Sequence, residues 1–261
     1  FNALEYNPGK SVNYPTGNVI GFSPSLPTGF EGSVVLSGSQ PLAAFAEVGN
    51  YQNGTAGDIL GTASAQYQAM GADITDTQLR VPTVKHNYSG QTTSIYVQAA
   101  GSEADVTITY KMNDGGSYTQ NVVIPANKMF MFDPANASVP STECGYVVNI
   151  SPCFGAATIV SISGQIAASY VEYPHVGSPA PLALSTRALT TAEQSTVLFG
   201  ASVKHSYTTG QGTGITGDTI MNVGSSPALV QIDLIVTKLG KNASGVSVGV
   251  DFHDTMEIQP G

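Results

Sequence analysis

Asp105-Val106-Thr107-Ile108-Thr109-Tyr110-Lys111-Met112 is the stretch that decides the fold class. Val106, Ile108, Tyr110 and Met112 alternate with Thr107, Thr109 and Lys111. A two-residue period places the first set on one face of a β-strand, toward a core, and the second toward water. The same pattern returns at Ala228, where Val230, Ile232, Leu234 and Val236 alternate with Gln231, Asp233 and Thr237. Turn-forming residues punctuate such runs: Asn113-Asp114-Gly115-Gly116, Pro125-Ala126-Asn127, Ser163-Gly164 and Gly224-Ser225-Ser226-Pro227. The best helix candidate, Ser185 to Gln194, is short and β-branched at its centre. The chain is expected to be all-β.

Internal similarity organises the strands. Val84-Lys85-His86-Asn87-Tyr88-Ser89 recurs as Val203-Lys204-His205-Ser206-Tyr207-Thr208, and Ser37–Ala44 recurs as Ser161–Ala168, 124 residues later. A weaker echo links Tyr6-Asn7-Pro8-Gly9-Lys10, Ile124-Pro125-Ala126-Asn127-Lys128 and Ile258-Gln259-Pro260-Gly261. One complete unit follows, over 78–174, with strands expected at Arg80–His86, Thr93–Ala99, Val106–Met112, Tyr118–Ile124, Lys128–Phe132, Ala157–Ile162 and Ile166–Tyr173. Seven short strands with regular turns point to an immunoglobulin-like β-sandwich. Residues 1–50 then read as the C-terminal half of such a unit and 196–261 as the N-terminal half, with a connector at 51–77 and a linker at 175–195.

Half a sandwich leaves strand edges unpaired, a template for another chain. Three outcomes stay open: completion of one copy by the next, head to tail; closure of the two halves within one molecule; or excerpt from a longer tandem array. Head-to-tail contacts need not close and so build a fibre. The residues expected at such a joint are Leu4, Tyr6, Val12, Val34, Leu36 and Leu42 from the first half, and Val230, Ile232, Leu234, Val236 and Ile258 from the second.

Leu26-Pro27-Thr28-Gly29-Phe30-Glu31-Gly32-Ser33-Val34-Val35, running to Gln40-Pro41-Leu42-Ala43-Ala44, resembles a repeat in secreted, tandem β-sandwich surface proteins of filamentous Chloroflexota-type bacteria. The matching opening is Leu79–Tyr88, followed by Ser94-Ile95-Tyr96-Val97-Gln98-Ala99 and Ala104–Tyr110. The resemblance implies an extracellular, cell-surface structural or adhesive role and brings no catalytic residues with it.

Composition agrees with export. Only 10% of residues are charged, and 18 acidic against 9 basic side chains leave a net charge of −9. That balance argues against binding nucleic acid and offers no polybasic anchor for anionic lipid. No stretch approaches the ~18 apolar residues of a transmembrane span. Cys144 and Cys153, nine positions apart, read as a local disulfide of an oxidising compartment. Asn53, Asn87, Asn136, Asn149 and Asn242 head Asn-x-Ser/Thr sequons and are candidate glycan acceptors.

Catalytic chemistry is not expected. His86 and His205 occupy equivalent repeat positions, which reads as structural, and the recurring Lys85/Lys204 and Glu47/Glu172 read as ion-pairing or solvated charges. Asp251, His253 and Asp254 lack the spacing of a calcium loop. Gly210-Gln211-Gly212-Thr213-Gly214 has no following helix to hold a phosphate. No metal or cofactor is called for. The expectation is a structural, self-associating subunit of a filament or sheath, with a sugar-binding adhesin, engaging glycans, as the alternative.

Overall fold

The computed structural model describes residues 32–40, 42–49, 64–142, 144, 151–175, 184–198, 207–209, 212–214, 219–234, 240–241, 247–248 and 252–260. These are almost wholly β. The strands are β1 (Phe45–Gly49), β2 (Ser64–Gln68), β3 (Gln78–Tyr88), β4 (Gln91–Ala100), β5 (Ala104–Met112), β6 (Ser117–Ile124), β7 (Met129–Phe132), β8 (Phe154–Ser161) and β9 (Gln165–Pro174). They continue as β10 (Leu184–Arg187), β11 (Leu189–Thr190), β12 (Tyr207–Thr209), β13 (Gly212–Gly214), β14 (Ala228–Leu234), β15 (Gly240–Lys241), β16 (Ser247–Val248) and β17 (Phe252–Ile258). All ladders between these strands are antiparallel.

The seven strands expected in the central unit are β3 to β9, each within a few residues of its expected bounds. The alternation does what its period requires: in β5, Ala104, Val106, Ile108, Tyr110 and Met112 are buried while the residues between them are not. At the β5–β6 turn Gly115 takes φ +90°, and the Asp114 carboxylate accepts the Gly116 N–H at 2.8 Å. Pro82, which has no N–H to donate, falls where the β3–β8 register shifts between Val81 and Val84.

The pairing order departs from the expected immunoglobulin type. One arm of the sheet runs β3-β8-β5-β6 and the other β10-β9-β4, with β7 on the far edge of β4. β3 joins the arms, pairing β8 and, near its end, β4. Side chains from both arms, among them Leu79, Ile95, Ile108, Phe132, Ile159 and Ile166, pack into one core. An immunoglobulin-like sandwich keeps its last two strands side by side. Here the corresponding pair, β8 and β9, lies in opposite arms. The connection between them, Ile162-Ser163-Gly164, arches over instead of closing a hairpin. Gly164 has φ +72°, and a Cβ there would sit 2.5 Å from the Glu103 carbonyl oxygen.

The span expected to be a linker, 175–195, also differs. Its residues 184–190 add two strands, β10 on β9 and β11 on β3, and Ala188 between them is fully buried. A 3-10 turn, Thr191–Glu193, stands where the short helix was the best candidate. In the expected connector, β2 pairs with β1.

Candidate assembly surface

The hairpin β14–β17 repeats the register of β5–β6. Ala228 lies opposite Ile258 as Ala104 lies opposite Ile124, and Val230 opposite Met256 as Val106 lies opposite Val122. The matching positions lie 124 residues apart on β5 and β14 and 134 apart on β6 and β17. The outer edge of β5 is taken by β8, with Ser161 opposite Val106, Ile159 opposite Ile108 and Ala157 opposite Tyr110. Among the described residues β14 pairs with β17 alone. The consequence shows in burial. Leu234 is 40% exposed, whereas Tyr110, its repeat equivalent, is 0% exposed. Ala228, Val230, Ile232, Met256 and Ile258 are half-buried.

The repeat equivalent of β8 lies near the other end of the chain. Ser33–Ser37 correspond to Ala157–Ser161, but Val34, Val35 and Leu36 are exposed and not part of a strand. Val35 is 60% exposed where Ile159 is 0%. Leu42 stands 60% exposed where its equivalent, Ile166, is 0%. Leu198, which the 119-residue spacing of the Val84 and Val203 motifs matches to Leu79, is 69% exposed against 0%. Apolar side chains facing water mark a surface that burial would stabilise, by roughly 25 cal/mol per Å² covered.

Of the residues expected at the joint, Val34, Leu36, Leu42 and Leu234 are exposed and Val230, Ile232 and Ile258 half-buried. Leu4, Tyr6, Val12 and Val236 lie outside the described residues. By the 124-residue correspondence Val35, not Val34 or Leu36, takes the core-facing position of Ile159. A one-residue step changes the face. Val35, Phe45, Leu198 and Leu229 are also exposed and were not singled out from the sequence, although the repeat spacing marks Val35 and Leu198.

The recurring charges of the central unit are spent inside it. Lys85 Nζ donates to Glu172 Oε2 and to Gln91 Oε1, both at 2.6 Å, linking β3, β9 and β4. Glu172 is only 4% exposed and Lys85 15% by side chain, so this pair is nearly buried, not solvated. His86 is buried as well. Its Nδ1 lies 2.7 Å from the Val139 carbonyl, which can only accept, so that nitrogen carries the proton. Its backbone N–H donates to Cys153 O at 2.9 Å. Both bonds tie the β7–β8 connection to β3. Lys204 and His205 lie outside the described residues.

His86 also borders a cleft of about 230 Å³ lined by Thr92, Ser94, Asp133, Tyr173 and His175. Thr92 Oγ1 and His175 Nδ1 are 2.8 Å apart, and the two imidazoles stand 6.0 Å apart, edge to face. The Asp133 carboxylate accepts the Ala135 N–H at 2.8 Å at the start of a 3-10 turn, Pro134–Ala137. The cleft therefore presents the Thr92 and Ser94 hydroxyls and the His86 and His175 rings on a largely apolar lining.

Cys144 and Cys153 are joined as a disulfide, with Cα atoms 6.3 Å apart. Asn136 is exposed in its 3-10 turn. Asn87, at φ +62°, donates from Nδ2 to Ser141 O at 3.0 Å. Asn53, Asn149 and Asn242 lie outside the described residues. His253 faces Asp233 across the β14–β17 ladder, Nδ1 to Oδ1 2.6 Å. Among the described residues no helix is long and apolar enough to cross a membrane. No protein family, curated protein or solved structure matches the chain.

Proposed function

We propose that this chain is a structural subunit of an extracellular filament or surface sheath, assembled head to tail by complementation between half-units. One observation carries the reading. The β14–β17 hairpin copies the β5–β6 register, yet its β8 position is unpaired among the described residues while the β8-equivalent segment, 32–37, stands exposed. Joining the two would pair a strand edge and cover apolar side chains in one step. Low charge suits such packing, because few ions must be desolvated at the joint. The disulfide and the Ser/Thr-rich surface suit an extracellular setting.

Electron microscopy of native, undenatured material tests this. Regular fibres are the expected result, and deletion of residues 1–48 should abolish them while leaving β3–β9 folded. Compact single particles, or fibres indifferent to the deletion, would overturn it. A second reading, a secreted adhesin that binds glycans, draws on the cleft bordered by His86, Tyr173 and His175. Saturable binding to a glycan array, lost in His175→Ala, would favour it.

A further inference from the structure

We infer that the edge of β14 left unpaired among the described residues is a strand slot for residues 33–37 of a second copy of this chain, in a single register: Val35 opposite Ile232 and Ser37 opposite Val230. The inference rests on the filament reading and adds to it the partner, the edge and the pairing.

The register is carried over from the complete unit. There β8 lies against β5 with Ile159 opposite Ile108 and Ser161 opposite Val106. Val35 and Ser37 are the 124-residue equivalents of Ile159 and Ser161, and Ile232 and Val230 those of Ile108 and Val106. The receiving strand already has its other edge satisfied in the matching register, Ala228 against Ile258. Slippage by one residue would turn Val35 from the core to the outer face, so the alternation enforces the pairing.

The occupant is a second copy because the chain's own segment is present and unseated. Residues 32–38 form no ladder, and Val34, Val35 and Leu36 are all more than half exposed. In the complete unit β8 is also flanked by β3, with Leu79 opposite Ile159. Leu198 is the equivalent of Leu79 and is 69% exposed.

Cysteine pairing in the full-length chain tests this. Directly opposed antiparallel residues have Cα atoms about 4.5–5.5 Å apart, within reach of a disulfide. Val35→Cys and Ile232→Cys are made as separate variants, mixed during assembly and gently oxidised. Crosslinked dimers containing one chain of each kind are expected on a non-reducing gel, at least tenfold above a mixture of Val35→Cys with Gln231→Cys. The double variant Val35→Cys/Ile232→Cys should give a ladder of multimers. Ser37→Cys with Val230→Cys repeats the test at a second position, should the first pair disturb folding.

Internally crosslinked monomers from the double variant would overturn the inference, since the slot would then hold the chain's own strand. Fibres of the unmodified chain with no crosslink at either pair would overturn the register while leaving the filament reading intact. Absence of fibres from the unmodified chain would instead remove the reading beneath it.

Discussion

Lys85 Nζ sits 2.6 Å from Glu172 Oε2, an ion pair between β3 and β9 that is almost closed to water. Removing one partner strands the other charge in a poorly solvated place, whereas removing both leaves an apolar gap that side chains can fill. Glu172→Ala is therefore expected to cost about 3–5 kcal/mol, and Lys85→Met/Glu172→Leu to recover most of that loss. Urea midpoints of the parent and the two variants decide it. Equal, small losses in all variants would mean the pair is screened by solvent.

Ile159 and Val35 hold one repeat position in two environments. Ile159→Ala empties part of the core and should destabilise folding by about 2–5 kcal/mol. Val35→Ala should change monomer stability by no more than about 0.5 kcal/mol, as exposed substitutions do, yet impair assembly. Thermal unfolding of dilute protein, set beside fibre yield at high concentration, separates the two effects. A Val35→Ala chain that polymerises like the parent would remove that side chain from the joint.

Arg187 and Glu193 set an acid dependence. The Arg187 guanidinium, hydrogen-bonded to the Glu193 carboxylate, holds that carboxyl well down, with the Thr190 N–H and hydroxyl helping, to about 2 from an ordinary 4.5. A carboxyl whose pKa falls on folding stabilises the fold fully above its unfolded value and loses that contribution as pH drops through the folded one. The parent should thus lose stability between pH 4.5 and 2 in a step that Glu193→Gln lacks. Superimposable acid-denaturation curves would count against the bond. The step is expected to be small, because both side chains remain partly in water.

The Cys144–Cys153 bridge closes a nine-residue separation and joins two points beside β3 and β8. Cys144→Ser/Cys153→Ser should lower stability by about 2–3 kcal/mol, from the loop entropy released to the unfolded chain. Intact-mass measurement before and after reduction checks the bond itself, which should differ by the mass of two hydrogens.

Most strand positions were legible in the sequence. Alternation at Val106–Met112 or Val230–Leu234 is a local property, written into neighbouring residues and independent of what each strand meets. The same alternation pairs Ala228 with Ile258 and Ala104 with Ile124.

Pairing order was not legible, because the two-residue period is the same whichever strand lies alongside. The sequence alone could not tell that β8 would choose β3 and β5 over β9, or that Leu184–Thr190 would join the sheet and bury Ala188. Nor could it show that Lys85 and Glu172, 87 residues apart, meet almost out of water, or that Val35 stands exposed where Ile159 is enclosed. Local patterning determined by itself that this chain makes strands and repeats them. Which edges are filled, which charges are buried and which apolar face is left open were decided by contacts between distant residues, and only the tertiary structure holds those.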